Sequence, residues 1–482
     1  LRSRRRELHR KAAVWFASHD LALKADHLAA ADEPSAATAY LHAAQTEQDA
    51  LRFERALVLV NKASAAARDP VVLHHVNCQL GALLLILGRT HDALTAYREA
   101  LDFASDLPGQ GESWLGIASA LRVMDRHLEA LDALEHARKT WGEHADARTK
   151  ARMMTLYGNL CFPLGRLEAC LDAHEEALRH ATQAQSPLDL ARALSGLGDA
   201  WYQRGRMHTA RNYFKRCIEA GERHHLPGVR IANLPMLAVT SMYCGDLGPA
   251  AEYLRQGLEL ARDASDARSE LLIHLVMANA KLMEGDFDTS ERYARHSSNL
   301  AAQLGARRFQ AEALCVIGSN CVQRSDCSEA AHYIDEGLEL ARLTGMHYCG
   351  PILLGMLARI TPHDEERRAA LEEAEAILAE GCVSHSYFEF YHHAIEVSLR
   401  ERAWTEARRY ADALADYTRA EPQAWTEIVV RRGRALADVG EGTVTKETMR
   451  TLEELQATCR RHRFHLQLPG IESALATVSA HA

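Results

Sequence analysis

Aromatic side chains make up only 6% of the 482 residues, and there are only twelve prolines. No apolar run reaches 18 residues, so no segment reads as a membrane-crossing helix. No N-terminal stretch reads as a secretory signal. The eleven cysteines include no C-x-x-C pair, which excludes the common zinc and dithiol motifs. An odd number of scattered thiols suits a reducing compartment, and the cytoplasm is the expected location. No G-x-x-x-x-G-K-[ST], H-E-x-x-H, G-x-S-x-G or G-x-G-x-x-G occurs, so this stretch offers no phosphate loop, zinc-protease helix or nucleophile elbow. With 56 basic and 65 acidic residues and a net charge of −9, the chain has no general affinity for nucleic acid, which requires a basic patch. One basic run, Arg2, Arg4, Arg5, Arg6, Arg10 and Lys11, reads as the solvated face of a first helix.

What is present is a rhythm. Ala and Leu, both strong helix formers, dominate. Pro70, Pro108, Pro187, Pro227, Pro351 and Pro422 fall between periodic segments, where helix ends are expected. Small residues recur at Ala93, Ala130, Cys170, Ala210, Ala250, Ser290 and Ala330, the first interval being thirty-seven residues and the next five forty. A fixed period of this size in helical sequence predicts stacked helix pairs. In one unit Leu156, Tyr157, Gly158 and Cys161 form a first helix, closed at Gly165, a residue free to turn left-handed. Cys170, Leu171, His174, Ala177 and Leu178 then line one face of a second. Smallness at Gly158 and Cys170, twelve apart, lets the two helices cross closely. Pro235 falls inside a first helix and is expected to kink it.

Leu197, Gly198, Gly205, Ala210 and Phe214, and again Trp114, Ile117, Ala130 and Ala137, resemble the tetratricopeptide (TPR) pattern, over about residues 31 to 440. The resemblance implies an all-α, right-handed superhelical solenoid of about 9–11 helix pairs. Its period is longer than the family's usual one of about thirty-four. In this it resembles the variant found in the C-terminal arm of MalT-like signalling ATPases. A second run, Leu8–Phe16, Ala25–Ala31 and Ala36–Leu41, resembles the junction that follows the ATPase and winged-helix modules of bacterial STAND-type regulators and ATPase-linked nucleotidyl cyclases. The expected organisation is a junction with an upstream module at 1–30, the array at 31–440 and capping helices at 441–482. In the cap, a helix is expected to run from Glu441–Gly442–Thr443 to Cys459, and Pro469–Gly470 to set off a short last one.

No catalytic set emerges. His74–His75, His224–His225 and His392–His393 are adjacent and diverge by about 100° on a helix. Cys315, Cys321 and Cys327 are spaced too widely for a zinc site. No cofactor and no metal are expected. In the resembled family the first helix of each pair lines a concave face. Carried over, its ligand-binding positions are Arg152, Thr155, Asn159 and Phe162, then Arg192, Ser195, Asp199 and Tyr202. Further along they are Met242, Asn279, Glu312, Ser319 and Arg359, and last Glu389, His392 and Glu396. An Asn amide both donates and accepts, so Asn159 and Asn279 suit an extended peptide backbone. Arg152 and Arg192 suit a carboxylate or phosphate. The aromatic stretch His385–His393 is either a second contact surface or a bulky joint between units. The resemblance implies a non-catalytic, cytoplasmic bacterial sensing arm. It would bind a protein, peptide or small ligand, or an intramolecular ATPase or output domain, and regulate that domain. Homo-oligomers are compatible with it; nucleic-acid and membrane contacts are not expected. The alternatives are a constitutive scaffold and the regulatory region of a class III adenylate or guanylate cyclase.

Overall fold

The computed structural model describes residues 2–481, with side chains to residue 479. Twenty-five α-helices follow one another from Arg2–Phe16 to Leu468–His481, with two short 3-10 turns and no strand among the described residues. Most helices of the array hold 14 to 18 residues, and successive helices pack as hairpins, as Leu107–Val123 does on His127–Trp141 and Arg307–Gln323 on Cys327–Thr344. The repeating small residues are the reason the hairpins close. Ala93, Ala130, Cys170, Ala210, Ala250, Ser290 and Ala330 are all 0% exposed. At Ser290 the closeness is visible as a bond, its Oγ donating to the Ala278 carbonyl twelve residues earlier at 2.8 Å.

Glycines make room for rings rather than merely for backbone. A methyl at Gly158 or at Gly196 would overlap the buried His174 ring, which sits between the helices Ala147–Cys161 and Pro187–Gln203. The Phe214 ring covers Gly198 in the same way. Five of the six prolines expected at helix ends, Pro70, Pro108, Pro187, Pro227 and Pro351, occupy first helical turns, where a missing N–H costs nothing. Pro235 lies inside the helix Pro227–Tyr243.

Left-handed residues recur in the turns. Gly88, Asp125, Gly165, Gly205, Gly245, Gly285 and Ser325 close first helices, while Gln185, His225, Ser265, Gly305 and Gly345 close second ones. From Asp125 and from Gln185 onward each series keeps the forty-residue beat. The C-terminal end differs from expectation. Gly442 closes the helix Ala424–Glu441, and a Thr445–Thr448 capping box opens Lys446–His462. Pro469 and Gly470 do not separate elements: they lie in the first turn of the fourteen-residue helix Leu468–His481, where a proline is tolerated.

The chain forms two compact units. The smaller comprises Leu1–Met153, Leu260–Arg268 and Gln303–Gly305; the larger comprises Met154–Glu259, Ser269–Ala302 and Ala306–Ala482. In the smaller unit the Tyr97 ring packs over Gly81 and Gly116, and Thr90 Oγ1 donates to the Leu304 carbonyl at 3.2 Å. The basic first helix is tethered by acidic neighbours, Arg6 pairing with Asp32 at 2.6 Å and Arg10 with Glu33, while Lys11 pairs with Glu7 within the helix.

Within the larger unit the chain returns on itself. Arg206 Nη1 donates to the Tyr417 carbonyl, Glu421 accepts the backbone N–H of His208 at 2.7 Å, and His462 Nδ1 lies 2.8 Å from the Gly245 carbonyl. These partners are 211 to 217 residues apart, about five repeats. A side chain at Gly165 would collide with the Gly381 carbonyl, so here the glycine serves the return contact as well as the left-handed turn.

Candidate functional site

The predicted inner positions divide into an open strip and a filled interior. In the larger unit Thr155, Asn159 and Phe162 on one first helix are half-buried, as are Ser195 and Asp199 on the next. Arg192 has 52% of its side chain exposed and leans towards Asp189 at 3.5 Å. The Asn159 amide has no hydrogen-bond partner among the described residues. Asn279 is used differently, its Nδ2 donating to the Leu275 carbonyl of its own helix at 3.1 Å. The strip therefore offers one uncommitted amide, a hydroxyl, a carboxylate and a guanidinium, chemistry suited to a polar backbone and a terminal charge. In the smaller unit Arg152 makes a bidentate bridge to Glu112 at 2.6 and 2.8 Å, so its charge is already matched.

Tyr202, Met242 and His392 are interior side chains, 6%, 1% and 4% exposed. Tyr202 stacks beside Phe162 with centroids 6.3 Å apart, and its hydroxyl lies 3.1 Å from His385 Nδ1. His385 comes from the helix Ser384–Arg400, 183 residues downstream. The aromatic stretch resolves into a joint. Phe388 and Phe390 are fully buried, Phe388 meeting Tyr243 edge-on at 5.1 Å, and Tyr387 stacks on Tyr417 at 4.1 Å.

Around this joint lies a polar interior. Tyr348 donates to Glu312 at 2.7 Å, and the Arg308 guanidinium lies 4.6 Å from the centre of the Tyr348 ring. Burial pushes Glu312 and Glu389 up to about 7 and His385 and His392 down to about 4 and 3. Glu396 goes the other way. Burial opposes its ionisation, but Arg432, His392 and Arg359 outweigh it and hold the carboxyl at about 2. Arg432 bridges Glu396 and the Gln467 carbonyl, and Arg359 lies 3.3 Å from His393 Nδ1. Ser319 is buried and donates to the Met356 sulfur at 3.1 Å.

Repeat register finds neither Arg308, Tyr348 nor His385: Tyr348 meets Glu312 and Arg308 of the preceding repeat, and His385 meets Tyr202 through the return of the chain. It also passes over Glu270, His274 and His296, whose ligand atoms lie within 4.8 Å of one another. Only the Glu-x-x-x-His spacing of the first two was visible in sequence.

The fold and the repeat together define a tetratricopeptide-type helical solenoid. More narrowly, residues 118–306 match the family described as the MalT-like TPR region. No curated protein matches the chain. Among solved structures, a Rap protein complexed with Competence and Sporulation Factor aligns at 14% identity and a TM-score of 0.52, covering 71% of this chain and 99% of that one. The Rap conjugation gene regulator of plasmid pLS20, in complex with the Phr* peptide, aligns at 13% identity and a TM-score of 0.51, covering 71% and 96%. A STAND protein with a tetratricopeptide repeat sensor from Pyrococcus horikoshii aligns at 13% identity and a TM-score of 0.42, covering 69% and 54%. No helix among the described residues is long and apolar enough to cross a membrane.

Proposed function

We propose that this chain is a non-catalytic recognition arm that binds an extended peptide, or an extended segment of a protein, along the strip formed by Thr155, Asn159, Phe162, Arg192, Ser195 and Asp199. The observation that carries this is the accessibility of the strip beside the closure of Tyr202, Met242 and His392. Asn159 supplies a donor and an acceptor to a peptide group, and Arg192 a cation to a carboxylate. The fold is compatible with such a ligand: the Rap regulator of pLS20 was solved in complex with a peptide. As an arm of this kind the chain works in the cytoplasm of a bacterium and passes occupancy of the strip to an ATPase or output domain of the same signalling protein. The resemblance of the Leu8–Leu41 run to STAND junctions supports that assignment.

Peptides selected on the intact chain from a random-sequence display library provide the test. The tightest is titrated calorimetrically into the wild type and into an Asn159→Ala, Arg192→Ala double variant. Loss of two hydrogen-bonding groups, one of them charged, is expected to weaken binding by about 2–4 kcal/mol with the melting temperature unchanged. Equal affinity in the two proteins rejects the strip as the site.

A further inference from the structure

We infer that the hairpin formed by helices Ala267–Met283 and Phe287–Leu304 contains a divalent transition-metal site made by Glu270, His274 and His296. Glu270 and His274 are four residues apart on the first helix, so they share one face. His296 comes from the second helix, which is locked against the first by Ser290 donating to the Ala278 carbonyl and Ser297 to the Leu271 carbonyl. His274 Nε2 lies 3.5 Å and His296 Nε2 3.6 Å from the same oxygen, Glu270 Oε1. At these separations the carboxylate is within ion-pair range of both imidazoles. The separations are close to the distance between two ligands of one tetrahedral zinc ion, about 3.3–3.5 Å for bonds of about 2.0–2.1 Å. The two imidazole rings meet edge to face with centroids 4.2 Å apart, which keeps both nitrogen edges near the same carboxylate.

The three side chains form a graded mouth. His274 is 5% exposed, Glu270 20% and His296 47%. An ion can enter past His296, and water can complete its coordination. Two imidazoles and a carboxylate select zinc, cobalt or nickel over magnesium or calcium, which prefer all-oxygen shells. Ligands drawn from both helices would pin this hairpin at its crossing. The site is separate from the Asn159–Arg192 strip, and its test does not depend on a peptide.

The intact chain is titrated with Co2+ while visible d–d absorption is followed, and the bound cobalt is then displaced with Zn2+. The expected result is one Co2+ per chain with a tetrahedral-type spectrum that Zn2+ abolishes, zinc binding such donor sets more tightly than cobalt. His296→Ala, at an exposed position, should weaken Co2+ binding by more than about tenfold while leaving the circular dichroism unchanged. Glu270→Gln should behave likewise. His332→Ala, an exposed histidine on another hairpin, should bind as the wild type does. Absence of a saturable cobalt spectrum in the wild type overturns the assignment, as does undiminished binding in His296→Ala.

Discussion

The helices Pro187–Gln203 and Ser384–Arg400 are both first helices of their repeats, yet they meet opposite fates. Arg192, Ser195 and Asp199 on the first remain reachable, while His392 on the second is buried and Glu396 is bound to Arg432. The repeat decides which way a side chain points within its hairpin. Whether that direction leads to solvent is decided by what packs over it: Trp425 and Gln467 cover His392, and Arg432 holds Glu396. The return contacts at Tyr417, Glu421 and His462 fall on Arg206, His208 and Gly245 and leave the Thr155–Asp199 strip accessible.

The contrast can be broken first by truncating rings. Phe388→Ala removes a fully buried ring from the joint and should cost about 3–5 kcal/mol in urea unfolding. Phe162→Ala removes a half-buried ring from the strip and should cost less than about 1.5 kcal/mol. Equal losses would mean that the two regions are equally packed.

A pH series sharpens the same comparison. In the folded chain Glu312 and Glu389 hold their protons up to about pH 7, whereas unfolded they ionise from about 4.5. The fold therefore binds more protons in that window, and stability falls as pH rises through it. His385 and His392 stay neutral in the fold down to about pH 4 and 3, while unfolded they take up protons below 6.5. Their contribution is lost as pH falls from 6.5 towards 4 and below. The buried imidazoles thus lower stability on the acid side and the buried carboxyls lower it on the alkaline side, His174 and His393 adding to the acid-side loss. Glu389→Gln should raise stability at pH 7 relative to pH 4.5 by removing the loss that Glu389 contributes; an unchanged urea midpoint profile would remove Glu389 from this account.

The smallest expected effect lies in the turns. Ser325 adopts φ 61° in an exposed turn, and Ser325→Gly should raise stability by up to about 1 kcal/mol. At Gly165 a side chain would strike the Gly381 carbonyl, so Gly165→Ala should destabilise instead. Thermal melts of the two variants should move in opposite directions.

The helices and their crossings were legible in sequence because both are local. Gly158, Cys170 and Ala210 report their packing through size and spacing alone. The turns were half legible: glycines marked Gly165 and Gly205, but Gln185, His225 and Ser265 take the same left-handed conformation without a glycine to announce it. Pro469 and Gly470 misled because a proline is equally at home in a first turn and between helices. The interior was not legible. Tyr202 and His385 belong to different repeats, and nothing in the period of forty says that they meet.

The return contacts also change what kind of object the array is. A repeat protein whose units touch only their neighbours can gain or lose a unit with a local adjustment. Here, deleting forty residues between Gly245 and Gly381 would shift every pairing that joins the early loops to the late ones, and Arg206 would no longer find Tyr417. The copy number of the larger unit is thereby fixed by closure, and its unfolding should be concerted rather than proceeding from one end.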